Sequence, residues 1–422
     1  MCFIPEKHLL GTMKFGLFLA ACLAAVQAAI TVPGINYNPR IGPNWGPDST
    51  NCKSASQILA DFQILAKITK GVRIYSITDC NQAQLVIPAA KSAGLKVWLG
   101  VWVGPDSSTF AAEKAKLSSL IQSGVVDSSI LGIHVGSEAV YRKDVTPEQA
   151  IAYYQDIKNL FTTAGIKTLV TIADIGDTWI ANPSMVEAVD IVSANEFPFW
   201  ENKDASEAAS WFYMRMGPLI ASAAKYKKQI LISETGWATD GSAVNTGPAT
   251  PAQAAKYFND FQLLATQMNW NYFYFSSFDM AFNSNASITN NVEEHFGLYY
   301  ANGTMKPCYA ELTVSGSSSV TTLAPSQLAT ATLAPVPTMP KNDPISPVSN
   351  STKVASPTKS PSSTSAPGTT TSSSSKSSAT SSPTTASSTA GSGKANVKSG
   401  ASTIAVSGVV SMLLASIVMT IM

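Results

Sequence analysis

Two apolar runs that each deliver a glutamate, Ile130-Leu-Gly-Ile-His-Val-Gly-Ser-Glu138 and Gln229-Ile-Leu-Ile-Ser-Glu234-Thr-Gly-Trp237, indicate the architecture of this chain. Strands that are buried on both faces of a parallel sheet have such continuous apolar sequences. In a barrel of parallel strands, the carboxyl ends of the strands form one rim. The two runs therefore predict that buried strands deliver Glu138 and Glu234 to a common rim.

Similar short runs occur along the chain, separated by longer patterns typical of helices. The predicted strands are residues 34–37, 72–76, 96–103, 130–135, 168–173, 191–194, 229–233 and 272–278, and the predicted helices are 54–67, 81–93, 109–123, 147–164, 206–226 and 251–268. Eight strands that alternate with helices indicate a parallel sheet. Their number and the length of the segment favour a closed (β/α)8 TIM barrel. A doubly wound open sheet is the alternative, but no Gly-x-Gly-x-x-Gly follows the first strand.

The predicted barrel domain covers residues 29–315, and the segments on either side of it have other compositions. Residues 1–28 have the pattern of a signal peptide, because Lys14 precedes an apolar stretch that small residues follow. A membrane anchor is the alternative, but the stretch is short for a span. Residues 316–393 are rich in Ser, Thr and Pro and predict a disordered, O-glycosylated stalk, with an undecorated linker as the alternative.

Residues 394–422 are predicted to be a GPI-attachment propeptide. Small residues, a polar spacer and an apolar end follow one another there, and Gly393 is the candidate attachment residue. A transmembrane helix is the alternative, but it would usually carry Lys or Arg on its cytoplasmic side. We therefore expect a secreted protein that a GPI lipid anchor holds at the outer face of the cell membrane and in the cell wall.

Charge argues against a nucleic-acid partner. The formal net charge of the chain is +1, and without the lysines of the terminal segments the folded part is acidic. Binding to a phosphate backbone needs a basic surface that displaces counterions. We expect a monomer, and the composition implies no cofactor. Sequons make Asn285, Asn302 and Asn350 candidates for N-glycosylation.

The cysteines predict one disulfide. Cys2 and Cys22 lie in the leader, so the mature chain keeps Cys52, Cys80 and Cys308, which allow three pairings. The sequence has no Cys-x-x-Cys and no cluster of histidines, so no metal site is predicted.

Acidic and aromatic residues gather at the predicted strand ends, as in sites that bind sugars through aromatic faces and carboxylates. The candidates for contact with substrate are Tyr37, Tyr75, Trp102, Ser137, Asn195, Glu196, Phe199, Trp200, Trp237, Phe278 and Asp279. Trp98 and Phe273 are expected to pack inside the barrel. His134 is expected to be a core histidine with its hydrogen bonds satisfied.

Glu138 and Glu234 are the candidate catalytic pair for glycoside hydrolysis. Both follow apolar strands directly, where rigid elements support a side chain, whereas Asp79 and Asp106 lie further out. Strands 4 and 7 stand on opposite sides of the predicted barrel, so the two carboxyls could flank one glycosidic bond. A spacing of about 5–5.5 Å between carboxyls gives retention and about 6.5–9.5 Å gives inversion. For either glutamate alone, a structural salt bridge is the alternative.

The motifs Gly34-Ile-Asn-Tyr-Asn38, Val135-Gly-Ser-Glu-Ala-Val-Tyr-Arg142 and Ile232-Ser-Glu-Thr-Gly-Trp237 resemble glycoside hydrolase family 17, in particular its GPI-anchored fungal cell-wall branch. The resemblance covers residues 30–312. It implies a (β/α)8 barrel and a retaining endo-β-1,3-glucanase that acts on cell-wall β-1,3-glucan. Glu138 would be the acid/base and Glu234 the nucleophile. A β-1,3-glucanosyltransferase with the same site, or a non-catalytic wall adhesin, are the alternatives.

The resemblance also concerns a serine and two cysteines. The wider clan usually has Asn immediately before the acid/base, whereas this chain has Ser137, so recognition of the sugar 2-hydroxyl is expected to pass through water or another residue. Cys52 and Cys80 lie in stretches that resemble the family. This implies a Cys52–Cys80 disulfide and a free Cys308.

Overall fold

The computed structural model describes residues 30–42, 48–280 and 290–328, which form a closed barrel of eight parallel strands. The strands are β1 (Gly34–Asn36), β2 (Gly71–Arg73), β3 (Lys96–Val101), β4 (Gly132–Ser137), β5 (Leu169–Ile175), β6 (Val192–Asn195), β7 (Ile230–Thr235) and β8 (Asn271–Tyr274). They pair in sequence order, and β8 closes the barrel on β1 through the Gly34–Phe273 and Ile35–Tyr274 registers. The predicted (β/α)8 TIM barrel is confirmed.

Helices follow the strands around the outside of the barrel. They are α1 (Asp48–Asn51), α2 (Ala55–Leu65), α3 (Gln82–Ala93), α4 (Ser107–Gln122), α5 (Pro147–Thr163), α6 (Gly176–Ala181), α7 (Pro183–Ala188), α8 (Ala205–Lys225), α9 (Pro251–Met268), α10 (Pro307–Ala310) and α11 (Pro325–Leu328). Side-chain oxygens of Asp106, Thr146, Asp204 and Thr250 accept backbone N–H groups at the starts of α4, α5, α8 and α9. These caps satisfy donors that the helix itself leaves unpaired, which fixes where the helices begin.

The strand ends at the rim differ from the predicted ones. β1, β2 and β8 end before the predicted residues 37, 76 and 278, because their backbones leave the regular ladder for the loops that form the rim. β4 and β5 instead run two residues further than predicted, to Ser137 and Ile175. The pairing register between these two strands shifts after His134.

An apolar cluster fills the amino end of the barrel. Trp98, Ile191, Leu231 and Phe273 are buried together there, and the Trp98 and Phe273 ring centroids lie 5.8 Å apart. Gly132 faces Trp98, and a Cβ at that position would lie 2.6 Å from the ring, so only glycine fits beside the indole. Trp98 and Phe273 therefore pack inside the barrel, as expected from the sequence.

The packed chain extends past residue 315, where the stalk was predicted to begin. The backbone N–H of Ser315 donates to Asn259 Oδ1 (3.0 Å), and that of Leu323 donates to the Tyr213 hydroxyl (2.8 Å). Leu328 on α11 is buried over Gly217 of α8. Residues 316–328 are therefore a strap on the barrel wall, held by these hydrogen bonds and by the buried side chains of Val320 and Leu328.

Several predictions fall outside the described residues: the signal peptide at 1–28, the stalk beyond residue 328, the propeptide at 394–422, Gly393, Asn285 and Asn350. Within the described ranges, no helix combines the length and the apolar character that crossing a bilayer requires.

Candidate active site

The carboxyl end of β4 is an irregular turn that carries Glu138. The pairing of β4 with β5 shifts register between His134 and Ser137, and Glu138 adopts a φ of 57°. A register irregularity re-aims the side chains that follow it, and a left-handed backbone costs a residue with a Cβ about 1–2 kcal/mol. The backbone N–H of Glu138 donates to Ala173 O on β5 (2.8 Å), which holds this conformation. The carboxyl is thereby buried at the rim of the barrel.

The surroundings of Glu138 favour its protonated form. Burial raises the pKa of Glu138 to about 8, and the charges of Glu234 and Asp174 act in the same direction. The amide Nδ2 of Asn195 donates to Glu138 Oε1 (2.8 Å), while Ser233 Oγ donates to Asn195 Oδ1 (2.6 Å) and so fixes the orientation of the amide. Glu138 is therefore a carboxylic acid near neutral pH, with one oxygen held by Asn195.

Glu234 has different surroundings, because Arg73 pairs with it. The guanidinium Nη1 of Arg73 lies 2.6 Å from Glu234 Oε1, and Arg73 is 1% exposed. Ser137 Oγ lies 3.3 Å from the same oxygen, in position to donate to it. A buried ion pair matches the ionised form of the carboxyl, which is the form that a nucleophile needs.

Arg73 connects several parts of the rim. Besides the contact with Glu234, its Nη1 donates to Asn36 Oδ1 (2.9 Å), its Nη2 to Ser137 Oγ (3.1 Å) and its Nε to His134 Nδ1 (2.9 Å). Sequence reasoning assigned Arg73 no role. A signal was available, because a lone arginine between Val72 and Ile74 in an apolar strand must find partners when it is buried.

His134 supports this arrangement as a neutral residue. Its Nδ1 accepts from Arg73, so its Nε2 carries the proton, which it donates to Ser193 Oγ (2.7 Å). Burial and the Arg73 charge hold the pKa of His134 well below its usual range. The prediction of a core histidine with satisfied hydrogen bonds is confirmed.

Tyr75 and Trp102 present unpaired donors at the rim. The Tyr75 ring lies against the Arg73 guanidinium (4.6 Å), and the Trp102 ring lies against that of Arg142 (4.7 Å). Neither the Tyr75 hydroxyl nor the Trp102 Nε1–H has a hydrogen-bond partner in the described part of the chain, although both are buried. Burial and the nearby Glu234 charge raise the pKa of Tyr75. The two donors are thus enclosed by protein atoms at the rim of the barrel.

A cavity opens at the ends of β1 and β8, and Tyr37, Tyr75 and Phe278 are among its lining residues. Lys53 borders it, with Nζ 4.8 Å from the Phe278 ring centroid and 2.6 Å from Asp61 Oδ2. The Tyr37 hydroxyl donates to the same Asp61 oxygen (2.7 Å), so that hydroxyl serves the wall of the cavity. Tyr37, Tyr75 and Phe278 therefore border one cavity, and their contact with a ligand stays a prediction.

Two predicted ligand aromatics are packed in the interior instead. Phe199 and Trp237 have no exposed surface, and their ring centroids lie 5.2 Å apart at an angle of 73°. Trp237 Nε1 donates to Pro248 O (2.9 Å), which consumes its only donor. Trp200, 7% exposed, stacks on Phe296. The prediction of substrate contact is wrong for Phe199 and Trp237, because the loops after β6 and β7 turn these rings toward each other.

Asp279 forms a structural contact. Its Oδ1 accepts from Lys306 Nζ (2.7 Å) and from the backbone N–H of Gly297 (3.0 Å). The same Nζ donates to Thr239 Oγ1 (2.7 Å) and His295 O (2.9 Å). These contacts join the loop after β8 to the chain around residue 296, and Asp279 also lines the cavity at the ends of β1 and β8.

Glu196 belongs to a buried group of acids around Arg215. Arg215 Nε donates to Glu201 Oε1 (3.0 Å) and its Nη2 to Asp177 Oδ1 (2.5 Å). Burial and the Glu201 charge raise the pKa of Glu196. Glu196 therefore lies with these acids in the wall behind the rim, which suits a structural acid, the other role that its sequence position allows.

The disulfide joins Cys52 to Cys80, with a Cα–Cα distance of 5.4 Å, and Cys308 is free. The pairing that the family resemblance implied is confirmed. Asp48 and these two cysteines are the one group of metal-ligand type in the described ranges, and the two sulfurs are bonded to each other. Asn302 lies exposed in a turn where its Oδ1 accepts from the backbone N–H of Thr304 (2.9 Å).

Known proteins share this barrel and this sequence. A model of the BtgE/BtgC glycoside hydrolase domain matches residues 34–297. A glucan 1,3-β-glucosidase of Saccharomyces cerevisiae is 28% identical over 309 residues, which cover 70% of this chain and 97% of that protein. A probable glucan endo-1,3-β-glucosidase of Aspergillus fumigatus is 31% identical over 304 residues, 65% of this chain, and the match spans only 42% of that longer relative.

A solved structure is similar over the same region. It is an active-site mutant of the β-1,3-glucanosyltransferase of Rhizomucor miehei in complex with laminaritriose, an enzyme of glycoside hydrolase family 17. The TM-score is 0.58 at 27% identity, and the match covers 68% of this chain and 98% of that one.

Proposed function

The chain belongs to the BtgE/BtgC glycoside hydrolase family, and we propose that it cleaves internal glycosidic bonds of β-1,3-glucan by a retaining double displacement. The observation that carries the proposal is the contrast between two carboxyls. Burial holds the pKa of Glu138 at about 8, whereas Glu234 is ion-paired with Arg73 at 2.6 Å. One acid and one carboxylate at the same rim are the pair that glycoside hydrolysis requires, and the resemblance to glycoside hydrolase family 17 supports retention. The relatives named as β-1,3-glucosidases support the substrate class.

In the first step, the Glu234 carboxylate attacks the anomeric carbon while Glu138 donates its proton to the glycosidic oxygen. The carbon–oxygen bond to the leaving sugar breaks, and an ester bond to Glu234 forms. The Asn195 amide holds Glu138 Oε1, so that the other carboxyl oxygen can carry the transferred proton.

In the second step, Glu138 acts as a base. Esterification removes the negative charge of Glu234, and with it one of the causes that favour a proton on Glu138. Glu138 then takes a proton from water as the water oxygen attacks the anomeric carbon. The ester bond breaks, Glu234 leaves as a carboxylate beside Arg73, and Glu138 regains the proton that it lost in the first step.

Loss of the nucleophile tests this assignment. We expect Glu234→Ala to lower reducing-sugar release from laminarin by at least about 1,000-fold, a loss on the order of 4 kcal/mol of transition-state stabilisation. Glu196→Gln, a change at a buried carboxyl behind the rim, is the matched control and should retain most activity. Undiminished release by Glu234→Ala would contradict an enzymatic role for this site and would favour a non-catalytic wall adhesin.

The stereochemistry of the product tests the double displacement. Proton NMR of fresh digests should show the β-anomer of the new reducing end before mutarotation. An α-anomer appearing first would indicate inversion by a single displacement.

Transfer to a sugar is the second candidate function, and the structural similarity to a β-1,3-glucanosyltransferase favours it. Water and a glucan hydroxyl would compete for the same Glu234 ester. Incubation with laminari-oligosaccharides separates the two, because products longer than the substrate indicate transfer and only shorter products indicate hydrolysis.

We also propose that the protein is secreted and monomeric, and that a GPI anchor after a glycosylated stalk holds it at the outer face of the membrane and in the wall. The composition of residues 1–28 and 316–422 supports this location, and the exposed Asn302 suits N-glycosylation. A phosphatidylinositol-specific phospholipase should release the protein from cells, and deletion of residues 394–422 should send it to the medium. Retention of the deleted form on the membrane would contradict a GPI anchor.

A further inference from the structure

Glu138 stands on a turn that needs support from outside its own strand. Gly136 and Glu138 both have positive φ angles, 82° and 57°, as the chain leaves β4. Residues with a side chain rarely adopt this conformation without neighbouring contacts that impose it. The position of the Glu138 carboxyl therefore depends on whatever fixes residues 138–141.

Asp174 on β5 provides that contact. It is fully buried and directly follows Ala173, whose carbonyl accepts the Glu138 N–H. Asp174 Oδ2 accepts from the backbone N–H groups of Val140 (3.1 Å) and Tyr141 (3.4 Å), and its Oδ1 accepts from the N–H of Ile175 (2.9 Å). One carboxylate thus ties β5 to the turn that carries the proposed acid/base.

We propose that Asp174 is a positioning residue for Glu138, because its carboxylate both holds the turn and places a negative charge beside the acid. This inference rests on the proposed function in one respect, which is that Glu138 acts as the acid/base. The hydrogen bonds that Asp174 makes exist without substrate.

The other charged and titratable groups around Glu138 come from several elements. Glu234 faces it from β7, Tyr75 lies nearby in the loop after β2, and Arg142 follows on the same turn. The charges of Glu234 and Asp174 raise the pKa of Glu138, and Arg142 lowers it. Arg142 Nη1 also donates to Ser137 O (2.6 Å), so this cation braces the turn from the other side. Burial raises the pKa of Asp174 itself to about 6.

Asp174→Asn removes the charge with little change in shape, although an amide nitrogen cannot accept an N–H. We expect kcat on laminarin to fall about tenfold, because a loosened turn misplaces the acid. We expect the alkaline limb of the kcat/KM profile to move to lower pH by roughly one unit, because a repelling charge is gone. Glu113→Gln is the matched control, since Glu113 is also buried and accepts from rim backbone, the Ile77 N–H (2.6 Å) and the Trp102 N–H (3.2 Å). Its alkaline limb should not move.

Carbon-13 NMR of the Glu138 carboxyl, assigned with Glu138→Gln, provides a readout without substrate. In the unmodified protein the resonance should titrate near pH 8 and show a smaller step near pH 6, where Asp174 ionises. In Asp174→Asn the main step should move down and the small step should vanish. An unmoved midpoint together with an unchanged kcat would overturn the proposal. If Asp174→Asn does not fold, the titration of the Glu138 carboxyl in the unmodified protein tests the proposal. A single titration step there would overturn the proposal. Failure of that protein to cleave laminarin would instead contradict the proposed function alone.

Discussion

The two ends of the barrel use the same eight strands but bury different chemistry. At the carboxyl end Arg73, Glu138, Asp174 and Glu234 are buried as charged or titratable groups, held by hydrogen bonds between strands. At the amino end a cluster of four apolar side chains around Trp98 fills the interior. The register shifts between β4 and β5, β6 and β7, and β7 and β8 all lie toward the carboxyl end.

This difference separates two tasks along the barrel axis. Regular pairing and apolar packing at the amino end fix the frame, and their contribution does not depend on pH or on substrate. Irregular pairing at the carboxyl end aims the side chains that do the chemistry, at a cost in backbone strain and desolvation. Changes at the carboxyl end should therefore alter activity, and changes at the amino end should alter stability alone.

The largest effect is expected for Arg73→Met, which leaves Glu234 as an unpaired buried charge. Removal of one partner of a buried ion pair typically costs about 3–5 kcal/mol in the free energy of unfolding. We also expect kcat on laminarin to fall at least about 100-fold, because Glu234, Ser137 and His134 lose a shared donor. Urea unfolding and initial-rate measurements check both effects.

Arg215→Met is the control for that experiment, because Arg215 is also buried between acids. It should reduce stability with a much smaller loss of kcat. A full kcat in Arg73→Met would show that the network at the carboxyl end is not part of the chemistry.

The opposite pattern is expected for Phe273→Ala at the amino end. Removal of a buried phenylalanine side chain typically costs about 3–5 kcal/mol in the free energy of unfolding. Where the variant is still folded, its kcat/KM should stay within about twofold of the original, since Phe273 contacts the apolar cluster and not the acid pair. A drop in kcat as large as that of Arg73→Met would show that the two ends are coupled.

A smaller effect on the free energy of unfolding is expected when the pH is raised. The pKa of Glu138 is raised from 4.5 to about 8 in the folded protein, so the folded state binds its proton more tightly than the unfolded chain does. The stability from this group is complete below pH 4.5 and is lost as pH rises through about 8. We expect the free energy of unfolding to fall across that window, and Glu138→Gln to flatten the fall. An equal slope in Glu138→Gln would assign the change to other groups.

The smallest effect is expected for Ser137→Asn. The longer amide could reach a sugar hydroxyl directly, and one added hydrogen bond is worth about 0.5–1.5 kcal/mol. KM for laminaripentaose should fall by a few fold, with little change in kcat. Ser137→Ala, which loses the contacts with Arg73 and Glu234, is the control and should raise KM. A large loss of kcat in Ser137→Asn would show that the rim has no room for an amide.

Local pattern was sufficient for the barrel but not for the details of the rim. Apolar runs specify strands by themselves, so eight of them predicted the fold and placed Glu138 and Glu234 at strand ends. The role of Arg73 depends on partners 61 and 161 residues away, which no local pattern encodes. Phe199 and Trp237 follow strands as predicted. The direction of the loop after each strand decides whether a ring is covered, and the local sequence pattern does not show that direction.

The strap at residues 316–328 has a mechanical consequence. The last described residue, Leu328, packs over Gly217, past the midpoint of α8, which runs from the rim down the outer wall. Tension applied along the chain at this point would be carried by Leu328 and by the hydrogen bonds between Leu323 and Tyr213. Such a force would act on the side wall of the barrel and not on the rim that carries Glu138 and Glu234.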